Sequence, residues 1–270
     1  MTEPLPVLVQ SESWAIIAKP PQLLVHRNWN APRADAALQR VRNQFRRRVY
    51  AIHRLDRAAS GCLLFALEQP WASKLQTSLN APDAVKTYLA FVRGEFKHDG
   101  PVIVDNPMAD ENGVLKEARS TVRCIGRSAE PRCSLLVVTP ETGRYHQVRR
   151  HVRDLFHPIL GDNKHGDTKI NRFWRENYGL GRLALHCVSM SIPHPDGGWI
   201  EAECPLFEDM YAVLSKMPWW DDAVAAFPLL GRAPLRLGAP LEESDDAVEG
   251  DAHDSAVARQ TQRADAAAIE

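Results

Sequence analysis

Asp56 stands as a single acid in a long basic stretch. From Ala36 to Leu55 there is no Asp or Glu, while Arg40, Arg42, Arg46, Arg47, Arg48 and Arg54 all fall in that window and Arg57 follows the aspartate directly. Two readings are open. In one, Asp56 is an ion-pair anchor among solvated arginines. In the other it is a reactive carboxylate. Neighbouring arginines favour the charged form of an aspartate, and an ionised carboxylate acts as nucleophile or base without a metal. The basic surroundings then suit the phosphates of a nucleic acid, leaving Asp56 to address a base or a sugar.

A second cluster lies in "TPETGRYHQVRRHVRDLFHPILGD", residues 139–162, where Arg144, His146, Arg149, Arg150, His151 and Arg153 crowd the early turns of an expected helix. A basic helix face is common. Positive charge near a helix N-terminus is nevertheless unfavourable, so a tertiary acid or a phosphate ligand is expected to relieve it. Other chemistries lack their motifs. The chain has no Walker loop, no G-x-G-x-x-G and no G-x-S-x-G elbow. None of the ten histidines forms H-E-x-x-H or a ligand-spaced Cys/His cluster. His146 and His151, five apart, sit about 140° round a helix and do not converge on one metal. Neither a metal nor a cofactor is expected.

The elements that must carry these groups are short. "PVLVQ", "WAIIAK", "GCLLFAL", "KTYLAFVRG", "STVRCI", "CSLLVVTPE", "RLALHCVSMSI" and "WIEAEC" read as strands, the last two joined by a "PHPDGG" turn. Residues 34–48 have helical spacing, with Ala37, Leu38, Val41 and Phe45 on one side. Residues 71–79 read as a helix, as do 144–156, whose apolar face is expected to hold Val148, Val152, Leu155 and Phe156. "LFEDMYAVLSKM" reads as the last helix. Hairpin-like strand pairs with interspersed helices predict an α+β fold.

Composition bounds the class. The 270 residues, 44% hydrophobic, suffice for a core, and no apolar run approaches a membrane span. The start, "MTEPLPVLVQ", does not read as a signal peptide. Five cysteines without a C-x-x-C pair read as reduced, mostly buried thiols of a cytoplasmic protein. The net charge of −1 hides an asymmetry: residues 1–240 hold 31 bases against 25 acids, and residues 241–270 hold nine acids against two bases. The expected division is a basic body, 1–230, and an acidic, disordered tail, 231–270, that catalysis does not need.

Four segments, in order, resemble the RluA-type pseudouridine synthases: "HRLDRAASG", "KTYLAFVRG", "ETGRYHQVRRH" with "HPILGD", and "RLALHC". The opening "VLVQSESWAIIAKPPQLLVHR" is similar to the family's start, and the likeness runs from about residue 6 to about 210. The resemblance implies that family's fold, a mixed, mostly antiparallel central sheet with flanking helices and a catalytic cleft. It implies an isomerase that breaks the N-glycosidic bond of a uridine, turns the base and rejoins it through C5, a reaction without redox change that fits the absence of a cofactor. By the same resemblance Asp56 is the catalytic residue, as nucleophile or as the base that starts glycal formation. Arg149 pairs with it and keeps it ionised. Tyr88 stacks on the target base and helps remove the C5 proton. Arg54 fills the space left by a flipped-out nucleotide. Arg46, Arg47, Arg57, Arg144, His146, Arg150, Arg153 and Lys164 are expected RNA contacts, and His53 and His186 packed structural histidines. The partner implied is RNA, with uridine 65 of tRNA as the target and the chain acting as a monomer. A ribosomal RNA target, a glycosylase that stops after cleavage, and a non-catalytic RNA-binding role on the same fold remain as alternatives. Two positions depart from the family's pattern. Ala59 replaces a Thr, removing a hydroxyl worth about 1 kcal/mol, and Tyr145 stands where many members have Thr.

Overall fold

Fully apolar runs become central strands. β2 (Trp14–Lys19) and β4 (Ser60–Ala66) are buried at every position, because both faces of the sheet are covered there. The other early elements are β1 (Val7–Gln10), α1 (Ala37–Phe45), β3 (Tyr50–Ala51), α2 (Gln69–Leu79) and β5 (Val85–Arg93). Then come β6 (Val102–Val104), β7 (Met108–Ala109), β8 (Leu115–Lys116), β9 (Ser120–Ala129) and β10 (Arg132–Pro140). The last third holds α3 (Gln147–Asp154), α4 (Thr168–Tyr178), β11 (Leu185–Pro193), β12 (Trp199–Glu203), α5 (Glu208–Leu214) and α6 (Trp220–Ala226). This computed structural model describes residues 3–27 and 32–238.

One sheet runs in the order β1-β2-β4-β11-β5-β10-β9-β6, with β12 on β11 and β3 on β4; β7 and β8 form a separate ribbon. Its strand pairings are antiparallel except β4 with β11. Two apolar cores form. One gathers β5, β9 and β10 with α3, α4, α5 and α6; the other gathers β1, β2, β4, β11 and β12 with α1 and α2. Tyr88 packs against both. The fold is the expected mixed, mostly antiparallel α+β arrangement.

The parallel pairing is where the two halves meet, with His186 opposite Ser60 and Cys187 opposite Gly61. Gly61 has φ +116, and a Cβ there would overlap the Cys187 backbone. A side chain is thus excluded both by conformation and by space. Gly61→Ala is expected to cost about 3 kcal/mol or more, from backbone strain plus overpacking. Urea unfolding of the variant measures this; a change under 1 kcal/mol would mean the strands separate freely here.

Several expectations need correction. The helix expected from Arg144 starts at Gln147, because His146 adopts a left-handed conformation (φ 52) at its N-cap. Phe156 does not join its apolar face: it lies past the helix end with φ 64 and is 91% exposed. α4 lies where no element was expected, and α5, expected to be the last helix, is followed by α6. Residues just past 230 are bonded into the fold: Leu235 donates to and accepts from the chain at Leu206 and Glu208. The rest of the expected tail, 239–270, lies outside the described residues.

Candidate active site

The segment between β3 and β4 carries Asp56, and three fixings hold it. The Ala59 amide donates to the Asp56 carbonyl at 3.1 Å. Ser60 Oγ contacts His186 Nδ1 at 2.8 Å and accepts from Arg182 at 3.0 Å. Lys19, fully buried at the end of β2, donates through Nζ to the carbonyls of Pro20 (2.9 Å), Leu23 (2.7 Å) and Arg57 (3.1 Å). Three acceptors match the three N–H donors of an ammonium. Burial first, and Arg182 next, push the Lys19 pKa well below its usual value, against the pull of Asp56. Ala59 itself is buried, so the missing family hydroxyl leaves an apolar contact.

Arg149 reaches this loop from α3. Its Nη1 donates to Asp56 Oδ2 at 2.9 Å across 93 residues of sequence. Its Nε and Nη2 donate to Asp162 Oδ2 and Oδ1, both at 2.8 Å, a two-pronged grip. The Asp162 carboxylate is fully buried and also accepts the Lys164 and His165 amides, each at 2.9 Å. Burial would lower the Arg149 pKa, but the Asp162 bonds and the Asp56 charge outweigh it and hold it above its usual value. Burial likewise acts to raise Asp162, and Arg149 overcomes it, so the carboxyl stays below the ordinary range. A tertiary acid thus offsets the positive charge near the start of α3.

A histidine pair backs the cluster. His146 Nε2 lies 2.9 Å from Arg149 Nη1 and 3.8 Å from Asp56 Oδ1. An arginine only donates, so Nε2 accepts and Nδ1 carries the proton. That proton faces His165 Nε2 at 2.9 Å. Burial pulls the His165 pKa down to about 4. Tyr88 is half-buried between Val138 and Cys187 on its neighbouring strands. Burial, then Cys187, with Asp56 adding to them, pushes its hydroxyl well above the usual value, so it is a neutral phenol at neutral pH.

A model of the family described as RNA pseudouridylate synthase matches residues 13–154, which include Asp56, Tyr88 and Arg149. The chain belongs to the RNA pseudouridylate synthase family. It is an isomerase that makes pseudouridine in RNA. It is 37% identical over 210 residues to tRNA pseudouridine synthase C of Haemophilus ducreyi, covering 71% of this chain and 86% of that protein. The Yersinia pestis protein of the same name is 37% identical over 268 residues, 90% of this chain and 99% of that one. The solved structure of human RNA Pseudouridylate Synthase Domain Containing 1 shares the fold (TM-score 0.61, 21% identity, 74% of this chain and 83% of that one). Domain Containing 4 does too (TM-score 0.61, 18% identity, 85% and 95%).

Against this pseudouridine synthase frame, Asp56 and Arg149 meet as expected, and Tyr88 lies within the field of Asp56. Arg54 and Arg57 are exposed on the same loop, Arg57 donating to the Gln22 carbonyl at 3.4 Å. Arg46 and Arg47 are exposed just past α1, and Arg47 faces Glu68 at 3.7 Å. Arg144 is exposed and donates to the Glu117 carbonyl at 2.8 Å. Arg150 is half-buried, and Arg153 is exposed and paired with its neighbour Asp154 at 2.7 Å. Lys164 is exposed and donates to the Tyr145 hydroxyl at 3.0 Å. His146 differs from the rest: its imidazole is 1% exposed and belongs to the Arg149 cluster, so a surface contact with RNA is a poor description of it. Sequence reasoning passed over Lys19, Asp162 and Arg182; His165, expected with Lys164 in a loop that contacts tRNA, instead bonds His146 at 2.9 Å. Asp162 had a signal, since it closes the quoted "HPILGD" segment. Among the described residues, no group of three or more His, Cys, Asp or Glu is arranged to hold a metal.

His53 and His186 are structural, as expected. His53 Nε2 accepts the Leu64 amide at 3.1 Å, and His186 Nε2 lies 3.0 Å from the Cys204 carbonyl. Burial pulls His53 down to about 3 and His186 down to about 4. Between about pH 4 and the unfolded histidine value near 6.5, the unfolded chain binds more protons than the folded one. Stability therefore rises with pH through that window and is lost as pH falls through it. The expected slope is about 1.4 kcal/mol per pH unit for each histidine. Urea unfolding at several pH values, with His186→Gln reducing the slope, checks this; a flat profile contradicts it.

Proposed function

We propose that the chain isomerises uridine 65 of tRNA to pseudouridine, with Asp56 as the group that attacks the sugar or starts glycal formation. The observation that carries this reading is Arg149, clamped by Asp162 and aimed at the Asp56 carboxylate at 2.9 Å. A preorganised cation at that oxygen costs no rearrangement as charge shifts in the reaction. The tRNA target rests on the likeness to the proteins named tRNA pseudouridine synthase C.

A paired uridine has to leave its helix to meet Asp56. Arg54, exposed two residues before Asp56, suits the vacated space because a guanidinium both stacks and hydrogen-bonds. Tyr88, held as a neutral phenol, is suited to stack on the uracil from which the C5 proton leaves. Arg46, Arg47, Arg57, Arg144, Arg150, Arg153 and Lys164 then contact the backbone. The reading includes a monomer in the cytoplasm, in keeping with five free thiols, and an acidic segment beyond the catalytic unit.

Tritium release from tRNA labelled at uridine C5, followed by reverse-transcription mapping, tests the proposal on the full chain and on one ending at residue 238. Release mapping to uridine 65 from both chains supports it. Release from ribosomal RNA but not tRNA would discard the target and keep the chemistry. Release lost on shortening would give the tail a role. An abasic product would mark a glycosylase, and RNA binding without any turnover would mark a non-catalytic protein.

A further inference from the structure

His146, the expected RNA contact, is buried, and the residue before it occupies the surface. Tyr145 is 39% exposed. Its ring stacks on the His146 imidazole, with centroids 3.8 Å apart and planes 20° from parallel. The chain turns between the two rings, with His146 in the left-handed region (φ 52), uncommon for a residue other than glycine. Such a conformation carries strain in a non-glycine residue and persists where the surroundings impose it. Here the imidazole is held by Arg149 and His165, and the phenol is held at its far end by Lys164. The result is an aromatic ring fixed at two points, one stacked layer out from the imidazole that lies 3.8 Å from Asp56.

Other large apolar side chains are also exposed, among them Phe156, Phe173 and Trp199. Tyr145 differs from these in being joined through His146 to the Asp56–Arg149 pair. Its ring has the Lys164 ammonium 5.2 Å from its centroid, and Arg150 donates weakly to the Tyr145 backbone carbonyl at 3.5 Å. A fixed aromatic face edged by positive charge suits a nucleobase with its phosphate, since every base offers a π-face. A threonine at this position, as in the family's usual motif, offers no such surface.

We propose that Tyr145 is a base-stacking residue of the RNA site, receiving the base of a nucleotide that flanks the target uridine. The inference rests on the proposed reading of an RNA uridine at Asp56. Tyr145 is a positioning residue: it sets where the strand lies and takes no part in bond making.

The test uses the full chain with a tRNA stem carrying the target, and a second stem with an abasic nucleotide beside the target. Tyr145→Ala and Tyr145→Thr are expected to raise KM, and Kd for labelled RNA, by about 10- to 100-fold, the range of one lost base–aromatic stack. Expected kcat stays within about threefold, and Tyr145→Phe, which keeps the ring and its stack on His146 but loses the Lys164 bond, recovers most of the binding lost in Tyr145→Ala. On the abasic stem, wild type is expected to fall to the level of Tyr145→Ala, which does not itself fall further. Unchanged KM and Kd in Tyr145→Ala would overturn the proposal. So would a loss confined to kcat, a failure of Tyr145→Phe to restore binding, or a lowered melting temperature that accounts for the defect. Absence of turnover in wild type would sink the functional reading, while the Kd contrast between the two stems would still decide the role of Tyr145.

Discussion

Asp56→Asn is expected to fold, to bind RNA and to lose turnover by more than about 10⁴-fold, the scale on which loss of a reacting group is felt. Each part of that result has a separate cause. Folding survives because the loop is held from elsewhere, by the Ala59 amide, by Lys19 on the Arg57 carbonyl and by the bonds to Ser60. Asparagine keeps the shape and an acceptor oxygen for Arg149, and Arg149 retains Asp162 as its counter-ion. RNA affinity survives because the arginines proposed to contact phosphate are untouched. Turnover does not survive, since an amide is neither nucleophile nor base at neutral pH. Tritium release, RNA binding and a melting curve on one preparation separate the three. Activity within tenfold of wild type would remove Asp56 from the reaction.

Asp162→Asn is expected to damage both stability and rate. The carboxylate accepts from two guanidinium nitrogens and two backbone amides while fully buried. An amide in its place points an NH₂ at one of these donors, whichever way it is turned. Breaking one side of a buried ion pair costs about 3–5 kcal/mol, because the remaining charge stays in the interior. Arg149 also loses the clamp that aims it, and misplacement by about 1 Å costs on the order of 100-fold in rate. Urea unfolding and kcat measured together check this. A variant within 1 kcal/mol of wild type in stability would show that Asp56 alone suffices to hold Arg149.

The strands were legible in the sequence because an apolar run such as "GCLLFA" has one plausible place, covered on both faces. Helix α4 was not legible from its apolar pattern, since Trp174 is its single buried residue. Its ends carry the information instead: Asp167 accepts the Lys169 and Ile170 amides, and Gly179 closes it at φ 76. The start of α3 was misplaced because periodicity does not register a backbone reversal at His146. Extending that periodicity past Asp154 put Phe156 on a face it never reaches. At the site, Asp56, Tyr88 and Arg149 came from motif likeness. Asp162 lay inside the quoted "HPILGD" segment, but its pairing with a side chain 13 residues away did not show there; Lys19 left no sign at all, because its partners are three backbone carbonyls.

The order of the sheet bears on how this protein comes off the ribosome. β4 and β5 are close in sequence, yet β11, made about a hundred residues later, lies between them. A nascent chain therefore holds β4 open at Ser60 and Gly61 and one edge of β5 open along its length, and pairing these with each other is the available error. Such long-range closure is slow. A fragment ending before Leu185 carries Asp56, Tyr88 and Arg149 and still lacks the strand that joins their two halves, so the enzyme becomes competent only when nearly all of its fold has been synthesised.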